Sequence, residues 1–160
     1  MLIDVIIEIP KDSRVKYEKD ETTNILRVDR ILPSAYVYPY NYGYVPHTLS
    51  EDGDPLDVMV ITNEPLIPGC TIKCKVIGCL NTYDGEIESG LKHDPKVIAV
   101  PDLKVDASFE HVYEVSSYYK SVIEDFFRNY KNNEKKATDV RDWLDANNSD
   151  KIVKMSFILR

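Results

Sequence analysis

Two hydrophobic rhythms divide this chain. From residue 2 to about residue 101 it consists of short Val- and Ile-rich runs: LIDVIIEIP, RVKYEKDE, NILRVDRIL, LDVMVIT, TIKCKVIGCL and KVIAVP. Turn-forming residues separate them at close intervals, which predicts strands arranged as a small barrel or sandwich. LDVMVIT and KVIAVP are almost continuously apolar, as expected of strands buried on both faces. In SSYYKSVIEDFFRNYK the apolar residues Tyr119, Val122, Ile123, Phe126, Phe127 and Tyr130 recur at spacings of three and four. That spacing predicts an amphipathic helix, capped by Ser116 or Ser117. NNSDKIVKMSFILR predicts a second, shorter helix capped by Asn148 or Ser149. The class is therefore α+β, with helices packed on a β barrel.

The 160 residues suit one domain, spanning 1–160, because no repeat, linker or shift of composition marks a second. The net charge of −7 opposes non-specific binding to nucleic acid or to an anionic membrane, both of which favour basic surfaces. No window offers the apolar length of a membrane helix. The first ten residues, MLIDVIIEIP, lack a basic start and read as a strand rather than a targeting signal. Cys70, Cys74 and Cys79 lie in one strand-like run without zinc-site spacing. They read as buried, reduced thiols, which indicates a reducing compartment, most simply the cytoplasm.

The stretch EDGDPLD sets four carboxylates within seven residues, just before an apolar strand. Gly53 permits a tight turn, and Pro55 makes Asp54 extended. Asp52, Asp54 and Asp57 can then face one small volume, where their repulsion calls for water or a cation. Read alone, this is more simply a solvated acidic turn, a common feature. Oxygen donors without His or thiolate nearby suit Mg²⁺ or Mn²⁺. Asp84 and Asp94 bracket a second polar loop, and an extended Asp94-Pro95-Lys96 puts Asp94 and Lys96 on one face. Glu8 interrupts an apolar strand, Lys16 and Glu18 alternate with Tyr17, and Arg30 ends a strand. Five tyrosines, 36 to 44, alternate through YVYPYNYGY; Tyr130-Lys131 closes the first helix. His47, His93 and His111 are scattered in polar contexts, and no Ser-His-Asp or Cys-His arrangement or phosphate loop occurs. This inventory suits metal-assisted displacement on a small polyanion.

The motifs EIP, KYE, VDR, YPYNYGY, EDGDPLDV, DPK before VIAVP, and FFRNYK occur together and in order. From about Glu8 to Lys131 the chain resembles the soluble inorganic pyrophosphatases of family I, the Mg²⁺-dependent type. The resemblance implies a five-stranded, OB-like β barrel with two packed α-helices. It implies hydrolysis of pyrophosphate to two phosphates by a metal-activated water. Asp52, Asp57, Asp84 and Asp94 would ligate the metals, with Glu8 and Glu18 helping largely through waters. Asp54 would be the general base. Lys16, Arg30, Tyr130 and Lys131 would bind phosphate with Lys96 and Tyr42 nearby, and Tyr38 would line the site. Lys16, Arg30 and Tyr42 are also expected to assist catalysis. Mg²⁺ is the expected cofactor, with Mn²⁺ or Zn²⁺ as substitutes. A homo-oligomer is expected, a trimer or hexamer rather than a dimer. The rival readings are a nucleotide or polyphosphate hydrolase built on the same acids, and a non-catalytic OB-like module for single-stranded nucleic acid. The acidic lip and the net charge oppose the second.

Overall fold

A computed structural model describes residues 1–20, 22–132, 134 and 136–158. Glu21, which closes the RVKYEKDE run, and Leu159 and Arg160, which close the second helical run, lie outside the described residues.

Among the described residues, nine strands, two α-helices and a 3-10 turn follow one another. The strands are β1 (Leu2–Ile9), β2 (Val15–Lys19), β3 (Leu26–Ile31), β4 (Asn41–Tyr44), β5 (Asp57–Val60), β6 (Thr71–Glu86), β7 (Lys92–His93), β8 (Lys96–Pro101) and β9 (Lys136–Leu144). The helices are α1 (Ser117–Asn129) and α2 (Ala146–Ser156). Five strands close a ring in the order β1-β4-β5-β8-β6, and β6 pairs back onto β1. Closure leaves the ring without a free edge. All its pairings are antiparallel except β5 with β8. This is the OB-like α+β barrel with two helices that the resemblance implies.

Alternation builds the core. Ile3, Val5, Ile7 and Ile9 of β1 are buried while Asp4 and Glu8 take the other parity. In β5 and β8 both parities are buried, as the apolar runs predict. Val58, Val60, Val97 and Ala99 join one apolar cluster with Val153 of α2. Met59, Ile98 and Val100 join another with Ile123, Phe126 and Phe127 of α1. Burying each phenylalanine of α1 contributes about 2 to 3 kcal/mol. Ser116 caps α1, accepting from Tyr119 N at 3.3 Å.

β4 crosses the middle of this core through YPYNYGY. Asn41 is fully buried yet satisfied. Its amide donates to Thr62 Oγ1 (2.7 Å) and the Glu64 carbonyl (3.1 Å), and its Oδ1 accepts from Lys11 N and Leu66 N. A buried amide with all four bonds made ties the neighbouring loops to this strand. At Gly43 a Cβ would lie 1.9 Å from the Ile6 carbonyl oxygen, so only glycine lets β1 and β4 approach this closely.

Some expectations are corrected. α2 is capped by Asp145, which accepts from Asn148 N at 2.8 Å, not by Asn148 or Ser149. Ser149 is buried and donates to the Asp145 carbonyl (2.6 Å), which it can do only inside the helix. Cys74 and Cys79 are buried free thiols, but Cys70 is half-buried. His93 is half-buried too, 2.9 Å from Asn81 Oδ1 and packed on Tyr83. β6 runs far past TIKCKVIGCL, to Glu86, and its free arm pairs with β7 and β9.

Candidate active site

Strand ends, turns and the end of α1 meet around one cleft of about 420 Å³. It is bordered by Glu8 of β1, Lys16 and Glu18 of β2, Asp52 and Asp54 of the 51–55 turn, and Asp57 of β5. Tyr38 and Tyr42, Asp84 of β6, Asp94, Lys96 of β8, Tyr130 and Lys131 complete the predicted residues found there. Residues separated by more than 100 positions in sequence thus share one volume. Arg30 alone among the predicted site residues does not border the cleft.

The floor of the cleft is a buried cluster of charges. Lys96, only 3% exposed, donates from Nζ to Asp57 Oδ2 and to Asp94 Oδ2, both at 2.6 Å. Asp57 Oδ2 also accepts from the Tyr42 hydroxyl at 2.8 Å. The expected same-face placement of Asp94 and Lys96 is what brings those two together. Burial acts to lower the Lys96 ammonium, but Asp57 and Asp94 outweigh it and hold it well above its ordinary value. Burial raises the Asp94 carboxyl in spite of Lys96, with Asp57 adding to the rise. One ammonium facing two carboxylates leaves a net negative charge in a poorly hydrated place. Burial also pushes Glu8 up to about 7, against the bond it accepts from Lys19 N at 3.0 Å. Tyr38, Tyr42 and Tyr130 are raised by burial and so remain phenols that can donate.

The rim is built of single pairs. Lys131 Nζ donates to Asp84 Oδ2, while Asp84 Oδ1 accepts from Thr138 Oγ1 at 3.2 Å. Burial acts to raise Asp84, but Lys131 carries it below the ordinary value. Lys16 pairs with Asp29 at 3.1 Å, and Arg30 with Glu134 at 2.9 Å. The β2–β3 register skips Asp29 of β3 between the Lys16–Arg30 and Tyr17–Val28 pairs, and Lys16, Tyr17 and Glu18 all border the cleft, not only the Lys16 and Glu18 that strict alternation puts on one face. Asp52 Oδ1 accepts from Asp54 N at 3.0 Å within a turn where Gly53 has φ 93°. Asp52, Asp54 and Asp57 therefore share the cleft mouth without converging on one point. Tyr36 and Tyr44 are partly exposed while Tyr38, Tyr40 and Tyr42 are buried, so the five tyrosines do not share one environment.

The donor set fits a hard divalent cation. Eight carboxylates border the cleft, Glu86 among them, without a thiolate or imidazole among its lining residues. The raised Glu8 and Asp94 mark places where added positive charge would be welcome. Among the described residues no three Asp, Glu, His or Cys side chains gather closely enough to hold an ion unaided. An ion here would complete its shell with water and substrate oxygens, as Mg²⁺ commonly does. Lys19, Lys92 and Lys136 also border the cleft and were not singled out in sequence. Lys92 stands two positions before Asp94, a spacing that could have drawn notice; nothing in sequence marks Lys136. Among the described residues no helix is long and apolar enough to cross a membrane.

A sequence model of the inorganic pyrophosphatase family matches residues 5–158. An inorganic pyrophosphatase of Nanoarchaeum equitans is 46% identical over 160 residues, covering 98% of this chain and 96% of its own. One from Rickettsia conorii is 44% identical, with 94% and 87% covered. The solved inorganic pyrophosphatase of Thermus thermophilus superposes with a TM-score of 0.89 at 35% identity, over 97% of this chain and 88% of its own. That of Coxiella burnetii gives 0.89 at 39%, over 97% and 92%. With the barrel, the acidic cleft and full-length likeness in agreement, the chain belongs to the soluble inorganic pyrophosphatases of family I, enzymes that hydrolyse inorganic pyrophosphate.

Proposed function

We propose that this cleft hydrolyses pyrophosphate with Mg²⁺ as its cofactor, Mn²⁺ or Zn²⁺ being able to substitute. The carrying observation is that Asp52, Asp54, Asp57, Asp84 and Asp94 border the same cleft as Lys16, Lys96 and Lys131. Asp52, Asp57, Asp84 and Asp94 would hold the ions, with Glu8 and Glu18 reaching them largely through water. When bound, such ions lower the pKa of water and neutralise phosphate charge. Asp54 accepts the proton of the attacking water. The water oxygen bonds to one phosphorus, the bridging P–O bond breaks, and the leaving phosphate keeps the electron pair. Lys16, Arg30, Tyr130 and Lys131 bind phosphate oxygens. Tyr42 donates to Asp57 and so fixes that carboxylate, while Lys96 fixes Asp57 and Asp94 together. Tyr38 gives the site a rigid apolar wall.

Asp54→Asn should retain the fold and cost about two orders of magnitude in turnover, the usual scale of general-base loss. Phosphate release measured from pyrophosphate, ATP and tripolyphosphate in Mg²⁺ tests both role and substrate. Wild-type turnover in the variant moves the base elsewhere, and equal rates on ATP favour a broader polyphosphate hydrolase.

The proposal extends to one functional domain over 1–160, because both apolar clusters draw on the same strands. It includes the cytoplasm, on the free thiols of Cys74 and Cys79. It also includes a homo-oligomer, trimer or hexamer rather than dimer, for which exposed Leu49, Ile67 and Met155 offer apolar surface. Sedimentation velocity reads that last part directly.

A further inference from the structure

Arg30 and Glu134 meet in a half-made contact. Arg30 Nη1 lies 2.9 Å from Glu134 Oε2, with the two side chains 23% and 15% exposed. Arg30 Nε and Nη2 and Glu134 Oε1 are buried and have no hydrogen-bond partner among the described residues. A guanidinium and a carboxylate can form two parallel bonds, and buried polar atoms left out of such a fork cost free energy. The contact is thus poorly suited to be a permanent prop.

Its surroundings suggest why it exists. Arg30 sits directly across the β2–β3 pairing from Lys16, which borders the cleft, whereas Arg30 does not. Glu134 follows Lys131 and precedes Lys136, both of which border the cleft. A short movement of the Arg30 side chain would exchange one acidic partner for another. A phosphate group offers three acceptor oxygens and more charge than one carboxylate, and could accept from the two guanidinium nitrogens that Glu134 leaves unmet.

We propose that Glu134 is a positioning residue that competes with a phosphate group for the Arg30 guanidinium, so that it weakens phosphate binding and eases product release. The inference rests on the reading that Arg30 binds phosphate. Glu134 keeps the guanidinium compensated until a stronger acceptor arrives, and recaptures it as phosphate leaves.

The test is calorimetric binding of inorganic phosphate to the full chain in magnesium buffer, alongside KM and kcat for pyrophosphate. Glu134→Gln keeps the shape and removes the charge. Loss of one charge-assisted competitor should tighten phosphate binding about 5-fold and lower KM by a similar factor, without raising kcat. Glu134→Asp, one methylene shorter, should move the phosphate Kd the same way and serves if the glutamine variant does not fold. In an Arg30→Ala background the Glu134→Gln gain should vanish. An unchanged or weaker phosphate Kd in folded Glu134→Gln overturns the competition, because a mere prop for Arg30 would weaken binding when removed. If Arg30→Ala alone leaves phosphate binding unchanged, the assignment of Arg30 to phosphate falls, and the competition falls with it. If Arg30→Ala weakens binding while Glu134→Gln does not tighten it, only the competition is lost.

Discussion

The floor and the rim of the cleft hold their charges by different means. On the floor, β4, β5 and β8 are buried on both faces, and they lock Asp57, Asp94, Lys96 and Tyr42 into one network. Those charges are few, poorly hydrated and mutually dependent. On the rim, β2 and β3 form a separate two-stranded sheet, and β3 is largely exposed. Its cations are held one pair at a time, Lys16 to Asp29 and Arg30 to Glu134. A buried network resists rearrangement because each group lost leaves another uncompensated. A single pair exchanges partners at less cost, because only one other group is left to find compensation. The floor is thus suited to fix geometry, and the rim to capture and release an anion.

The sharpest way to break this contrast is to wedge the floor apart. Gly43→Ala places a Cβ against the Ile6 backbone, where no side chain can give way. Urea denaturation should show a loss of at least about 4 kcal/mol, or no folded protein. A loss under 1 kcal/mol would mean β1 and β4 can separate cheaply.

Next, Lys96→Met leaves Asp57 and Asp94 without their ammonium, and should cost about 3 kcal/mol near pH 7. On the rim, Lys16→Ala should cost less than about 1 kcal/mol of stability. Equal losses in the two variants would erase the distinction between floor and rim.

Magnesium should then stabilise the folded protein. At about a hundredfold excess over its Kd the gain is roughly 2 to 3 kcal/mol. Differential scanning fluorimetry with and without EDTA reads it as a higher thermal midpoint. An unmoved midpoint would leave the cleft carboxylates without their proposed role.

The smallest effect sharpens the picture at Glu8. Its folded pKa of about 7 exceeds the ordinary 4.5, so the folded state binds a proton the unfolded chain would release. The stability this lends is fully present below about pH 4.5 and is lost as pH rises through about 7. Glu8→Gln in EDTA should therefore match wild type near pH 4.5 and melt higher at pH 8. The difference should be on the order of 1 kcal/mol, because the carboxyl, though largely buried, keeps part of its hydration. A variant less stable than wild type at pH 8 would show that Glu8 is already compensated.

Much of the fold was legible because period carries burial. The alternation in β1, the apolar runs of β5 and β8, and the spacing of Phe126 and Phe127 on α1 each announce their element. β9 was not legible. KATDVRDWL contributes only Val140 to the fully buried core, and it becomes a strand by pairing with the arm of β6. β4 was hidden as well, since proline and glycine in YPYNYGY argue for bending, whereas its neighbours hold Asn41–Tyr44 extended. In the site, the Asp94–Lys96 spacing was readable, but the bulge at Asp29 and the pairing of Arg30 with Glu134 were not.

Local terms were written into the order of residues: the period of the strongly patterned runs, where the acids crowd, and the turn that Gly53 and Pro55 shape. These depend on neighbours within a few residues, whose sterics and spacing are written in order along the chain. Which acid faces which cation was settled by folding alone. Lys96 could not be known to join Asp57 with Asp94, nor Arg30 to meet Glu134, until closure of the barrel brought distant segments within hydrogen-bonding reach. Charge interactions act through space and depend on burial, and neither quantity is a property of sequence separation.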